Sequence, residues 1–384
     1  MTSELLRWLK PLTSLKLTIF CLACAMVLIF LGTLDQVHIG IYEAENRYFK
    51  SLFLFFTLPG THVRIPWFPG GYIVGTLLLV NLLAAHIARF KLSWKKAGIL
   101  LLHSGLILLL VGQLFADIFI DLESQMRLDQ GQTKNYSESL YHDELAIVDT
   151  SGVDSDRVIS LPESRLYKDN KIQLPVGSLE VVIQDYYPNA ALISPSQLPS
   201  PSYPHLPIGP MAVAVQMEKT YKENERNQPA ATVSLLQNGN LVGSWSLAAG
   251  FPRPISFQVD GKAWQIALRP KRFYKPFAIQ LLQFRHDRYA GTDIAKNFSS
   301  RIKLTDPGEH EDRESLIFMN NPLRYRGYTF FQAGFDNNDT TTVLQVAQNP
   351  SWLVPYISCA LIVLGMLLQF GMHLIGFVKR RVIA

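Results

Sequence analysis

The chain of 384 residues has little cysteine, and none in its long central region. Its three cysteines, Cys21, Cys24 and Cys359, all lie inside apolar runs. Residues 119–350 must therefore fold without disulfide bonds, and they are numerous enough to bury a core without them. The C-x-x-C pair at Cys21 and Cys24 can be interpreted as a redox or metal pair, or as small packing residues. Its position in mid-run favours packing.

Sequence motifs of several enzyme classes are also missing. There is no glycine-rich phosphate loop, no G-x-S-x-G and no H-E-x-x-H. The net charge of +5 is modest, and much of the Lys and Arg lies beside apolar runs, so nucleic acid is not an expected partner. The central histidines lack metal-ligand spacing, so we expect them on the surface: His142, His205, His286 and His310. No catalytic residue is predicted.

Four apolar runs are long enough to cross a bilayer. A cleaved secretory signal is the alternative for the first run, but that run is too long and no clean cleavage site follows it. The predicted fold class is an integral membrane α-helical protein with four transmembrane helices plus a mainly β extracytoplasmic domain. The predicted spans are 17–34, 71–87, 97–119 and 352–378, within regions 1–118 and 351–384, and the β domain is 119–350.

Basic residues orient these spans. Because cytoplasmic loops are rich in Lys and Arg, three basic clusters predict cytoplasmic termini and a large domain on the periplasmic or extracytoplasmic side of the inner membrane. The outer loop 35–70 contains an apolar segment, 51–59, too short to span, which we expect in the membrane interface near Trp67 and Tyr72. The clusters are Arg7, Lys10 and Lys16; Arg89, Lys91, Lys95 and Lys96; and Lys379, Arg380 and Arg381.

The central region has the residue pattern of a β domain. Segments 179–184, 263–268 and 342–347 are rich in β-branched and aromatic residues. Residues 327–332 and the segment from Thr342 onward predict a hairpin around an Asn/Asp-rich turn. A sandwich or an open barrel is expected. The Pro- and Ser-rich stretch 188–210 is expected to be irregular.

Histidines inside the spans are the candidate functional residues, because ionisable groups in a membrane are costly. His103 lies about 10 Å inside the third span, and His86 about 4.5 Å inside the second. A neutral imidazole in an apolar site is a common haem ligand, and haem propionates would reach the nearby basic loop. The alternative is that His103 only hydrogen-bonds a neighbouring helix. The possible propionate contacts are Arg89, Lys95 and Lys96; His373 lies near the inner end of the fourth span.

The pattern resembles the ResB (CcsB) family of system II cytochrome c biogenesis proteins. Residues 318–334, FMNNPLRYRGYTFFQAG, resemble the family's "MN-PL-Y-GY-FYQ-G" segment, with Phe331 where Tyr is usual. Residues 276–281 and 296–301 resemble its "PF-L" and "F-S" segments. Residues 97–107 resemble its third-span signature, in which the histidine is taken to be a haem ligand.

The resemblance implies that His103 is the haem axial ligand, with haem b as a transported group shared with a ResC/CcsA-like membrane partner. Apocytochrome c, which receives haem at Cys-x-x-Cys-His, and thiol-reducing proteins are the further implied partners. No Trp-rich haem-handling segment occurs, so the chain is expected to be the accessory, non-catalytic subunit of a cytochrome c synthase (haem lyase) complex. The second axial ligand is expected from the partner, with His86 ranked lower.

Two other classes of function stay open on the sequence. One is a scaffold whose β domain holds apocytochrome or the membrane partner while no haem contacts the chain. The other is an envelope sensor or transporter component, which rests on topology alone.

Overall fold

The protein is described by a computed structural model that covers residues 11–58, 60–61, 63–89, 93–119, 123–153, 155–198, 200, 203–222, 225–249, 254–292, 295–336, 340–349 and 351–383. The chain divides into two compact units. The helical unit comprises Met1–Asp121 with Asn349–Ala384, and the strand unit comprises Leu122–Gln348.

Four long helices build the helical unit. Within the described residues, all four are long and apolar enough to cross a membrane, as the sequence predicts. They are α1 (Leu15–Ile39), α2 (Gly71–Arg89), α3 (Ala97–Phe119) and α4 (Val354–Ile383).

Between α1 and α2 the chain makes a compact excursion. Helix α1 ends because Gly40 adopts φ 84°, and the Gly40 amide donates to the carbonyl of Gln36 at 2.9 Å. Two short helical turns, Ile41–Ala44 and Glu45–Phe49, lead into an antiparallel hairpin. Its strands are β1 (Phe53–Thr57) and β2 (Arg64–Pro69), so the apolar segment 51–59 contains a β-strand.

Helix α1 packs through one narrow face. Its buried residues are Cys21, Cys24, Leu28 and Gly32, which recur at helical spacing and belong to the side of α1 that faces the rest of the helical unit. Cys21 is 1% exposed and Cys24 is 6% exposed, in a core that also contains Tyr48. Both thiols are free. The burial of both side chains in this core agrees with the packing interpretation of the C-x-x-C pair.

Helices α3 and α4 meet along a row of glycines spaced by seven residues. A Cβ atom added at Gly98 would lie 2.7 Å from the Gly365 carbonyl oxygen, and one at Gly105 would lie 2.8 Å from the Ser358 carbonyl oxygen. At Gly112 the nearest atom would be a Val354 methyl at 2.4 Å. Such backbone-to-backbone proximity needs residues without a side chain, as in many membrane helix pairs.

The strand unit is mainly β, as the sequence predicts. Its strands are β3 (Glu123–Asp129), β4 (Thr133–Asp149), β5 (Arg157–Pro162), β6 (Asn170–Gln173), β7 (Leu179–Tyr187), β8 (Ala190–Ile193), β9 (His205–Pro207), β10 (Val213–Gln216), β11 (Ala230–Gln237), β12 (Asn240–Ala248), β13 (Ile255–Val259), β14 (Lys262–Arg288), β15 (Ala295–Asp306), β16 (Glu311–Phe318), β17 (Leu323–Tyr325), β18 (Tyr328–Asp336) and β19 (Thr341–Gln348).

The strands form one large sheet and two smaller ones. The large sheet has the order β16-β15-β14-β4-β3-β19-β18-β17, with β13 paired to β14 and β5 to β4. The smaller sheets have the orders β12-β11-β7-β6 and β8-β10-β9. The expectation that 188–210 is irregular is wrong in part, because β8 and β9 lie there and pair with β10. Local Pro and Ser content did not outweigh this non-local pairing.

Two hydrophobic cores share the long strand β14. One core lies between the β12-β11-β7-β6 sheet and the first half of β14, around Trp264. The other is enclosed by β3 and β14–β19, around Phe277 and Phe330. Strand β14 contributes side chains to both cores because register shifts after Pro270 and Tyr274 bend the strand. The predicted hairpin is confirmed as β18–β19, whose last pair is Asp336 with Thr341; residues 337–339 of its turn lie outside the described residues.

Candidate functional site

A pair of histidines lies between α2 and α3. The rings of His86 on α2 and His103 on α3 are 4.9 Å apart between centroids and nearly perpendicular, at 77°. His86 Nδ1 lies 3.2 Å from the carbonyl oxygen of Leu82, one turn earlier. Since a carbonyl only accepts, His86 Nδ1 is the donor in this contact. The fold thus brings together the two histidines that the sequence singles out.

His103 lines an apolar cavity of about 490 Å³. Leucines supply most of its wall, including Leu82, Leu106 and Leu109. This volume is in the range of roughly 300–1,000 Å³ that is typical of ligand-binding cavities. The His103 Nδ1 atom is buried and has no hydrogen-bond partner among the described residues. A buried unpaired nitrogen is unusual in a folded protein, so a group that bonds to this imidazole would be stabilising.

Asn81, which the sequence did not single out, is a buried polar residue on the wall of the same cavity. It is 4% exposed. Its Nδ2 donates to the carbonyls of Leu12 at 2.6 Å and Ser14 at 3.1 Å, and its Oδ1 accepts from Thr18 at 2.7 Å. These bonds fix the start of α1 against α2. A lone asparagine in an apolar span is the sequence signal that would have identified it.

A second cavity of about 520 Å³ adjoins the first, since both are lined by Leu110. It lies nearer the β1–β2 end of α2, where Glu45 and Tyr72 contribute polar atoms. Gly75 also faces this space and has nothing within 4 Å of an added Cβ. Gly75 is therefore open to this space, unlike the glycines of the α3–α4 row.

The arrangement suits a flat apolar group with an imidazole-binding metal, which is the chemistry of haem. The wall is apolar, and one imidazole nitrogen is unsatisfied. The two histidine rings touch each other, so no macrocycle fits between them in this arrangement. Lys96, one of the predicted propionate contacts, is exposed at the start of α3. The side chains of Arg89 and Lys95, the other two, lie outside the described residues.

The strand unit holds an ionisable cluster that sequence reasoning missed. Asp143 is 9% exposed, and burial, reinforced by the negative charge of Glu163, raises its pKa to about 7. Glu163 accepts from Lys219 Nζ at 2.5 Å and lies 3.9 Å from His142 Nδ1. Of the central histidines expected on the surface, His310 is exposed, and His142, His205 and His286 are partly exposed. Among the described residues, no group of three His, Cys or acidic side chains is arranged to hold a metal.

The segment 318–334, which carries the family resemblance, closes the second core. Arg326 and Gly327, with φ 48° and 81°, form the two-residue turn between β17 and β18. The buried carboxylate of Asp306 accepts from Tyr325 Oη at 3.0 Å and from Arg326 at 2.8 Å. The ion pair with Arg326 holds the Asp306 pKa below its usual range. These hydrogen bonds join the β17–β18 turn to the end of β15, so Asp306, Tyr325 and Arg326 have a structural role.

The chain thus combines four helices that are long and apolar enough to cross a membrane with a histidine pair beside an apolar cavity and a large β unit. Residues 257–343 match the ResB-like family. A 109-residue stretch is 37% identical to protein NrfI of Wolinella succinogenes, covering 28% of this chain and 12% of NrfI. The resemblance to the ResB family is thereby confirmed over this part of the chain.

Proposed function

We propose that the chain is a membrane-embedded, haem-handling subunit of a cytochrome c maturation complex, with His103 as an axial ligand to haem iron. The observation that carries this proposal is the position of His103 on the wall of an apolar cavity, with an unsatisfied ring nitrogen. The similarity to the ResB-like family and to NrfI supports the biological process.

The proposed setting is the cytoplasmic membrane, with α1–α4 as spans. Lys379, Arg380 and Arg381 follow the apolar part of α4, and Lys96 immediately precedes α3, so the positive-inside rule directs these ends to the cytoplasm. His103 then lies in the cytoplasmic half of the membrane. The strand unit lies on the other side, where apocytochrome c receives haem.

The chain's own residues would bind and orient haem. The leucine wall around His103 excludes water and accepts an apolar macrocycle. Because the His86 and His103 rings are in contact, we assign the second axial bond to a ResC/CcsA-like partner, and His86 positions the His103 ring. Lys96, with Arg89 and Lys95, is proposed to neutralise the propionates. Haem is the transported group, and the attachment reaction belongs to the assembled complex.

The test compares two substitutions at His103 in cells that make c-type cytochromes. His103→Ala removes the imidazole, and His103→Asn keeps a hydrogen-bonding group of similar reach. If His103 ligates iron, both variants should lose most mature cytochrome c at normal protein abundance, because an amide is a poor iron ligand. Added imidazole should restore part of the Ala variant's function.

A matched control is His373→Asn. His373 is exposed near the end of α4 and its Nε2 is 2.8 Å from Gln369 Nε2, so its loss should be nearly silent. His86→Asn should fall between the two, because His86 acts on the ring of His103. Normal cytochrome levels in His103→Asn would contradict the ligand role and favour the scaffold, since interhelical hydrogen bonds contribute only about 0.6–2 kcal/mol.

A further inference from the structure

The β1–β2 hairpin of the helical unit exposes an unusual number of large apolar side chains. Six of them, on both strands and the connecting turn, are between 44% and 56% exposed: Phe53, Phe55, Phe56, Val63, Ile65 and Trp67. A water-facing hairpin normally alternates apolar and polar residues, with only one apolar face. Contiguous exposed apolar surface of this kind marks an interaction site.

The base of the hairpin is firmly attached to the helices. Leu54 is 4% exposed and belongs to the core that α1 builds. The Gly70 amide donates to the Leu52 carbonyl at 2.7 Å, and the Tyr72 amide to the Ser51 carbonyl at 3.2 Å. An added Cβ at Gly70 would lie 2.2 Å from the Ser51 carbonyl oxygen, so no side chain fits there. The hairpin is therefore held beside the first turn of α2, at the end of an apolar helix.

Beyond this base, apolar side chains occupy both faces of the hairpin. Phe55 and Phe56 are neighbours in sequence, so the pleat directs them to opposite faces. Phe55 pairs with Pro66, and Phe56 pairs with Ile65, which extends the apolar character across both strands. A soluble protein partner covers one face of such a hairpin and leaves the other in water. Lipid surrounds both faces, and it requires no matching register.

We propose that the β1–β2 hairpin is an interfacial membrane anchor, inserted into the headgroup and acyl boundary of the leaflet in which α1 ends and α2 begins. This rests on the proposed membrane location of α1–α4. Its strands, of five and six residues, extend about 14–17 Å, which is too short to cross the roughly 30 Å hydrocarbon core. Insertion is shallow because the outer edges of a two-stranded hairpin retain unpaired backbone groups that need water or headgroups.

The charges and aromatics around the hairpin agree with this location. Trp67 is the type of residue that concentrates at membrane interfaces, and Tyr72 follows at the start of α2. Arg64 is exposed, pairs across the hairpin with Thr57, and is placed to meet anionic headgroups. The anchor would fix the ends of α1 and α2, and with them the wall of the cavity that contains Tyr72 and Glu45.

The test places nitroxide labels on the full-length chain in vesicles of phosphatidylcholine and phosphatidylglycerol. The three native cysteines are replaced by alanine, and single cysteines are introduced as Phe55→Cys and Phe56→Cys, on opposite faces. Leu367→Cys on α4, where the native side chain is 65% exposed, is the control for a span. Lys171→Cys, at an exposed position of β6, is the control for a label in water. Collisions with oxygen and with a water-soluble nickel chelate are then compared.

Both hairpin labels should show an oxygen-to-nickel collision ratio several-fold above that of Lys171→Cys, with a depth of about 5–10 Å. Leu367→Cys should be deeper. If either hairpin label has the collision ratio of Lys171→Cys while the Leu367→Cys label is in lipid, the membrane anchor is refuted. The proposed membrane location of α1–α4 is then unaffected. If Leu367→Cys is also in water, the membrane location itself is refuted. Hairpin labels that are immobilised only when a membrane partner is co-reconstituted would identify a protein surface and overturn the lipid assignment.

Discussion

The glycine row between α3 and α4 gives a prediction that the structure makes quantitative. Gly105→Ala adds one methyl group where its carbon would lie 2.7 Å from an Ile362 side-chain carbon and 2.8 Å from the Ser358 carbonyl oxygen. Ordinary van der Waals contact begins at about 3.5 Å, so the helices must separate locally by roughly 0.7 Å. Because one of the two contacts is backbone, a side-chain rotation cannot relieve the overlap.

The energetic consequence follows from packing. A gap of 0.5–1 Å between the helices loses about a quarter to a half of the energy of each dispersion contact between α3 and α4. Overpacking of this kind typically costs about 1–3 kcal/mol. The intrinsic helix preference for alanine over glycine, about 1 kcal/mol, opposes this cost. We therefore expect Gly105→Ala to lower the free energy of unfolding by up to about 2 kcal/mol, and to leave it about 1–3 kcal/mol below that of a glycine-to-alanine change without the overlap.

The matched control is Gly371→Ala on α4, where an added Cβ meets nothing within 4 Å. It should be neutral or should stabilise by up to about 1 kcal/mol. The assay is the midpoint of unfolding by sodium dodecyl sulfate, measured for both variants in the same mild detergent and followed by circular dichroism. Equal midpoints for Gly105→Ala and Gly371→Ala would refute the close approach of α3 and α4.

Three further predictions concern the strand unit and the topology. Asp143→Asn should raise the thermal midpoint at pH 8 but not at pH 4. The raised folded pKa of Asp143, about 7, makes folding progressively less favourable as pH rises from about 4 to 7, by at most about 4 kcal/mol. Asp306→Asn, which breaks the Arg326 ion pair, should increase protease cleavage near the β17–β18 turn over that of the wild type. In intact spheroplasts, an impermeant thiol reagent should label a cysteine at Lys171 and not one at Ser93; the reverse labelling would invert the proposed orientation.

Sequence patterns predicted the helices and many strands because these depend on local signals. The apolar runs are long and the β-rich segments are dense, so 179–184, 263–268 and 342–347 all fall inside observed strands. The pairing of β8 and β9 with β10 depends on residues far apart in sequence, and local composition did not predict it.

The sequence identifies the two histidines of the candidate site individually, but it does not predict their contact. His103 and His86 stand out individually as ionisable groups in apolar runs. Their ring contact depends on how α2 and α3 rotate about their axes, which the sequence does not specify. Asp143 lies on the long strand β4, where it pairs with Pro270 of β14, and this pairing joins residues far apart in sequence. Its local sequence, Tyr-His-Asp-Glu, gives the expectation of an exposed polar stretch.

The most direct test of the central claim is the absorption spectrum of the purified chain, alone and with its membrane partner, in wild type and in His103→Ala. If His103 ligates haem iron, the wild-type sample should show haem absorption bands, and the variant should lose most of its bound haem at equal protein concentration. His373→Ala, the matched control, should keep its haem. A His103→Ala sample that retains haem with an unchanged spectrum would contradict the assignment of His103 as an axial ligand.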